Sequence, residues 1–219
     1  MAGFFYEQKL TFLDITILFS FVGATTLLAI SPGPDNIYVL IQSITNGVKH
    51  GIATVLGLIS GCIVHTSLVA FGASVIIKQN ETLFYSLKIF GATYLIFLAY
   101  KVFKSDNTIS ISSKEVSKKS TAQLFKQGFI MNVLNPKVSI FFLALFPGFL
   151  FSQSMSTMNQ FFILGFVFMG VSLVIFSLIA ILAGSISIYL NKNSKVGTVL
   201  KWLQIIVFLG IAVFILFSD

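Results

Sequence analysis

FLDITILFSFVGATTLLAI, Phe12 to Ile30, runs straight into SPGPDN, Ser31 to Asn36, and continues as IYVLIQSI, Ile37 to Ile44. At about 1.5 Å per residue, one unbroken helix over this length would overshoot the ~30 Å hydrocarbon core of a bilayer. Two prolines flank a glycine in its middle, and each proline removes a backbone donor and crowds the preceding turn. The pattern predicts a membrane helix broken at Pro32, Gly33 and Pro34. Asp35 and Asn36 follow the break at once, a carboxylate and an amide in otherwise apolar sequence.

Outward from this stretch the same blocks recur. Ile52 to Ile77 has no formal charge and only His65 as a titratable group, and Leu83 to Phe103 carries Lys88 and Lys101. Phe129 to Phe151 contains Asn135-Pro136-Lys137, a second proline break, with Asn132 just before it. Phe161 to Leu190 is uncharged and, at roughly 45 Å as a helix, must tilt or emerge at one end. Trp202 to Phe217 closes the chain, long enough to span once Val199 and Leu200 are added. These blocks predict an all-α integral membrane protein of about six transmembrane helices, with helices 1 and 4 broken at PGP and NP.

Composition agrees. Hydrophobic residues make up 56% of the chain and charged residues 10%, against roughly a quarter charged in soluble domains. The net charge of +7 comes from 14 lysines and no arginine. Most lysines stand at the ends of apolar blocks rather than in a patch, which argues against nucleic acid as a partner and for membrane orientation. Cys62 is the single cysteine, so neither an internal disulfide nor a cysteine metal site is available. Glu7, Lys9 and Asp14 surround the first apolar segment, which therefore reads as a retained helix rather than a signal peptide.

Each half of the chain has a proline-broken helix, a long apolar block and a third span. Setting Pro34 on Pro136 aligns Gly33 with Asn135 and Asp35 with Lys137, and Leu56-Gly57 then falls on Leu164-Gly165 after a small loop difference. The expected organisation is one transporter domain over 1–219, with repeat 1 at about 10–103, a polar loop at 104–121 and repeat 2 at about 122–219. Three spans per half would make the repeats inverted, with broken helices meeting near the bilayer midplane. Ten lysines (Lys49, the Lys101 to Lys126 group, and Lys192, Lys195 and Lys201) fall on one side and three (Lys9, Lys78 and Lys88) on the other. The positive-inside rule then places loop 104–121 in the cytoplasm and both termini outside.

Asp35 and Lys137 are the charges deepest in apolar sequence. A charge at that depth costs at least ~2.5 kcal/mol and calls for a partner or a wet cavity. They are candidates for a substrate or coupling site, with a structural ion pair as the alternative. The N-terminal end of the half-helix from Asp35 to Ile37 suits a carboxylate. Asn36, Asn132 and Asn135 flank the breaks and fit either substrate binding or recapping of freed backbone groups. His65 fits either a hydrogen-bonded packing role or proton coupling. Gly57 and Gly61 form a GxxxG step suited to close helix packing. No HExxH, GxSxG or Walker-type loop occurs, and two histidines make a metal site improbable, so no enzyme activity, metal or cofactor is expected.

SPGPDNIYVL resembles the proline-glycine-proline signature of the lysine exporter / homoserine–threonine resistance (LysE/RhtB-type) family. GLISGCIVH, Gly57 to His65, is similar to the glycine-rich helix that follows it, and GFIMNVLNPKVSIFFLALFP, Gly128 to Pro147, resembles the second signature. The resemblance covers nearly the whole chain and implies ion-gradient-driven export of amino acids or close derivatives across the cytoplasmic membrane, without a cofactor. Partners would be a small-molecule substrate and membrane lipid, with a homodimer as a further option. Many members carry an acid where this chain has Cys62, a difference that disfavours a basic substrate. A non-transporting membrane scaffold is the contrasting reading.

Overall fold

The computed structural model describes residues 2–31, 33–73, 81–105, 119–192 and 195–217. The described residues contain helices and no strand. In chain order they form α1 (Ala2–Ile30), α2 (Pro34–Asn46), α3 (Val48–Leu68) with a π turn (Val69–Ala73), and α4 (Glu81–Lys104). The second half forms α5 (Thr121–Val133), α6 (Pro136–Leu145) with a 3₁₀ turn (Phe146–Phe149), α7 (Thr157–Ile181), α8 (Ala183–Lys192) and α9 (Lys195–Phe217). Three unbroken stretches are long and apolar enough to cross a membrane, and two bent pairs pass as broken spans, up to five among the described residues. The chain is a multi-pass membrane protein.

Both expected breaks are present. The axes of α1 and α2 bend by 58° across the PGP segment, and those of α5 and α6 by 51° across Asn135. Pro34 and Pro136 each sit in the first turn of the helix that restarts, where a missing N–H costs nothing. Pro32, the remaining residue of the predicted first break, lies outside the described residues, as do positions 106–118 of the polar loop. The long fifth block is divided at Leu182, where α7 ends and α8 begins. That resolves its excess length by a break, which no proline announced.

Sequence-local chemistry sets the helix starts. Ser120 opens α5 with a capping box: its hydroxyl accepts from Gln123 N at 3.2 Å, and the Gln123 side chain accepts from Ser120 N at 2.9 Å. Ser156 caps α7 in the simpler way, accepting from Asn159 N. The buried Gln160 accepts from Phe151 N and Ser152 N and donates to the carbonyls of Ser152 and Met155. One side chain thus satisfies the connection that hangs α7 beside α6.

Lipid tails are as apolar as leucine, so close packing must hold such helices together. Helices α3 and α5 approach at backbone distance: a Cβ on Gly57 would overlap the Phe125 carbonyl oxygen, and one on Gly128 would overlap that of Thr54. This contact carries the α5 C-terminus, and with it the second break, onto α3. Phenylalanine serves both as core bulk and as outer surface. Phe142, Phe146 and Phe161 are fully buried, with Phe142 stacked on Phe146 at 4.3 Å, whereas Phe19 and Phe217 are largely exposed.

Candidate functional site

The two breaks meet. Asn135 Nδ2 donates to Asp35 Oδ2 at 2.9 Å, a buried bond between residues 100 apart in sequence. The same amide accepts, through Oδ1, from Lys137 N at 3.0 Å and so caps α6. Asn135 therefore holds the restarting helix of its own half and the carboxylate of the other half at once. Lys137 crosses in return, with Nζ 3.4 Å from where a Cβ on Gly33 would stand. The alignment of Gly33 with Asn135 and Asp35 with Lys137 becomes a crosswise contact.

Asp35 and Lys137 are close enough to attract one another electrostatically, without a direct salt bridge. The ammonium instead lies over the Phe208 ring of α9, 5.2 Å from its centroid, a contact worth about 2 kcal/mol when desolvated. Asp35 keeps its second oxygen, Oδ1, buried and without a hydrogen-bond partner. An acid and a base face one space, each with unused bonding capacity.

At each break a side chain the sequence had singled out bonds a backbone carbonyl. The Ala29 carbonyl would pair with Gly33 N in a continuous helix. Gly33 is extended, at φ −159° and ψ 174°, and Asn36 Nδ2 takes the carbonyl at 2.7 Å instead. In the second half Pro136 has no N–H to offer the Asn132 carbonyl, which accepts from Asn135 N at 3.0 Å instead. His65 Nε2 lies 3.0 Å from that oxygen, and since a carbonyl only accepts, Nε2 carries the hydrogen. Asn36 thus caps the first break, and His65 adds a second donor to a carbonyl at the other.

Asp35, Asn36, Asn132 and Lys137 line one cavity together with Cys62 and Ser172, while His65 stands behind Asn132 and is not part of the lining. Phe168 and Phe176 form its apolar wall. Its volume of ≈ 30 Å³ is room for about two waters, well short of an amino acid. Among the lining residues, Asp35 Oδ1, Asn132 Oδ1 and Ser172 Oγ are buried without partners. The Cys62 thiol donates weakly to Leu58 O at 3.6 Å, where an acid would have added a charge. Among the described residues no cluster of His, Cys, Asp and Glu could hold a metal ion.

Sequence reasoning named Asp35, Lys137, Asn36, Asn132 and Asn135 and missed Ser172, Phe168, Phe176 and Phe208. The signal for Ser172 was its position four residues from Phe168 and Phe176, on the α7 face that also buries Gly165.

A family model for LysE type translocators matches residues 26–219. The homoserine/homoserine lactone efflux protein of Salmonella typhimurium strain LT2 is 31% identical over 183 residues, covering 84% of this chain and 88% of its own. The protein of the same description from Salmonella typhi gives the same figures. Uncharacterized membrane protein YrhP of Bacillus subtilis strain 168 is 30% identical over 141 residues, covering 61% of this chain and 67% of its own. No solved structure matches significantly.

Proposed function

The chain belongs to the LysE type translocator family, and on that premise we propose that it is a secondary exporter of amino acids or close derivatives across the cytoplasmic membrane. The observation that carries this reading is the meeting of Asp35, Asn135 and Lys137 across 100 residues of sequence beside a small cavity. An acid with a spare oxygen and a base without a carboxylate partner are the complements of a substrate's ammonium and carboxylate. The names of the Salmonella relatives, homoserine/homoserine lactone efflux protein, favour that substrate class.

Transport proceeds by alternating access. A cavity this small must enlarge to admit an amino acid, and the broken helices give the two halves places to move about. Asp35 carries a proton inward and exchanges it for the substrate ammonium, so the proton gradient drives export. Lys137 meets the substrate carboxylate, helped by the free N–H groups at the start of α2. Helix α4, 24 residues long with Lys88 buried within it, supplies the sixth span. The lysine-rich segment 104–121 is cytoplasmic, both termini are outside, and the two halves form inverted repeats.

The test is counterflow in proteoliposomes with labelled amino acids and their lactones, with and without an imposed pH gradient. Substrate-dependent exchange that the gradient accelerates is expected. No exchange across a broad panel would sink the exporter reading and leave a membrane scaffold.

A further inference from the structure

Six phenylalanines among the described residues are at most 1% exposed. Phe21, Phe141, Phe142, Phe146 and Phe161 pack on other aromatic rings. Among the described residues Phe208 packs on no ring, and the group over its face is the Lys137 ammonium, 5.2 Å from the centroid. Lys88, Lys101 and Lys104 also lie over rings, but of residues three or four places back on their own helix, a contact that helical spacing supplies unaided. Lys201 reaches across to Phe103, an exposed ring. Lys137 over Phe208 is the one such pair among the described residues that joins two helices at a buried ring.

Burial alone accounts for an apolar residue at 208, which stands on the α9 stripe of Ile205, Ile211, Ala212 and Ile215, all buried at helical spacing. It does not account for the ammonium, which has the Asp35 carboxylate within electrostatic reach. Asp35 keeps Oδ1 without a partner, and a charge-assisted bond from Lys137 to it would be stronger than a ring contact. That bond would also tie α2 to α6 and occupy the acid and the base together. A ring face attracts a cation through its quadrupole and has no lone pair to saturate it, so the ammonium stays free to donate to an incoming carboxylate. Gly33 leaves the room this seat requires, with Nζ 3.4 Å from where its Cβ would stand.

We propose that Phe208 is a positioning residue of the transport site, whose ring seats the Lys137 ammonium away from Asp35 so that acid and base stay unpaired until a substrate arrives. This rests on the exporter reading and adds to its site a residue that does not itself line the cavity, acting through Lys137, which does. An incoming amino acid then meets two open partners. Its carboxylate draws the Lys137 ammonium off the ring, and its own ammonium meets Asp35. Without the ring, Lys137 settles on Asp35 and the substrate must first break that pair. The ring thus favours binding by keeping the empty site from locking itself.

The experiment follows exchange by the full-length protein in proteoliposomes, with the best-exchanged member of a labelled amino-acid panel, L-homoserine first, and reads half-saturating concentration and maximal rate separately. Phe208→Leu, apolar but ringless, is expected to raise the half-saturating concentration about tenfold, the order a desolvated cation–π contact contributes, with a maximal rate within about twofold of the wild type. Phe208→Tyr, which keeps the ring, should saturate as the wild type does. Melting temperatures check the contact without transport: Phe208→Leu should cost more in the wild type than in a Lys137→Gln background. An unchanged half-saturating concentration in Phe208→Leu, a Phe208→Tyr no better than Phe208→Leu, or an equal melting cost in both backgrounds makes Phe208 core bulk and overturns the seat while the exporter reading stands. No exchange of any panel member by the wild type overturns the exporter reading and the seat with it.

Discussion

Replacing Asn135 by alanine removes two interactions at one stroke. Its side chain caps α6 by accepting from Lys137 N at 3.0 Å, and loss of such a cap costs about 1 kcal/mol. It also donates to Asp35 Oδ2 at 2.9 Å in a buried setting, and a hydrogen bond to a charged group contributes about 1.5–3 kcal/mol. With Asp35 Oδ1 already unpartnered, Asn135→Ala leaves the carboxylate with no hydrogen bond at all. The expected loss is roughly 2.5–4 kcal/mol, read as lower monodisperse yield and a lower melting temperature of the purified protein. Asn135→Asp separates the parts: an aspartate still caps α6 but sets a like charge against Asp35, so much of the stability returns while export does not. Wild-type melting and export in Asn135→Ala would refute the view that this amide joins the two halves.

Three further outcomes follow from the same geometry. Gly57→Ala drives a methyl group into the Phe125 carbonyl and should cost 1–3 kcal/mol or more, seen as lost folded protein, whereas Gly170→Ala, in open space on α7, should gain up to ~1 kcal/mol. His65→Ala should lower stability by about 1 kcal/mol through loss of its bond to the Asn132 carbonyl, and His65→Gln, whose amide can donate in its place, should restore folding with pH-gradient-driven export intact; export that becomes insensitive to the gradient in His65→Gln would assign the histidine to coupling instead. Single cysteines in 104–121, introduced with Cys62→Ala, should resist an impermeant thiol reagent in intact cells and react once the membrane is opened, and labelling of intact cells would reverse the orientation.

The breaks were legible because proline chemistry is local: Pro34 and Pro136 mark where helices restart without knowledge of any neighbour. Asp35 and Lys137 were legible because charge in long apolar sequence is costly wherever it packs. What the breaks bind was not. The amides of Asn36 and Asn135 fitted capping and substrate contact equally from sequence, and only the Ala29 and Asp35 contacts separate these uses. His65 carried no sign that it faces the Asn132 carbonyl, because that bond depends on the close approach of α3 and α5 at Gly57 and Gly128. Ser172 was invisible as a lining residue of the cavity for a related reason, since a serine in a span usually satisfies itself on its own helix. The division at Leu182 has no proline to announce it.

The central claim, that Asp35 and Lys137 work as one transport site rather than as a structural lock, is tested most directly by gradient-driven export in Asp35→Asn and in Asp35→Asn with Lys137→Gln. Protein level is measured beside transport. Asp35→Asn is expected to abolish export with the folded protein largely retained, because the asparagine still accepts from Asn135 but cannot carry a proton. The double substitution removes both charges and should match or exceed the single in abundance while remaining inactive. Export at the wild-type rate in Asp35→Asn, or its recovery in the double variant, would contradict the account.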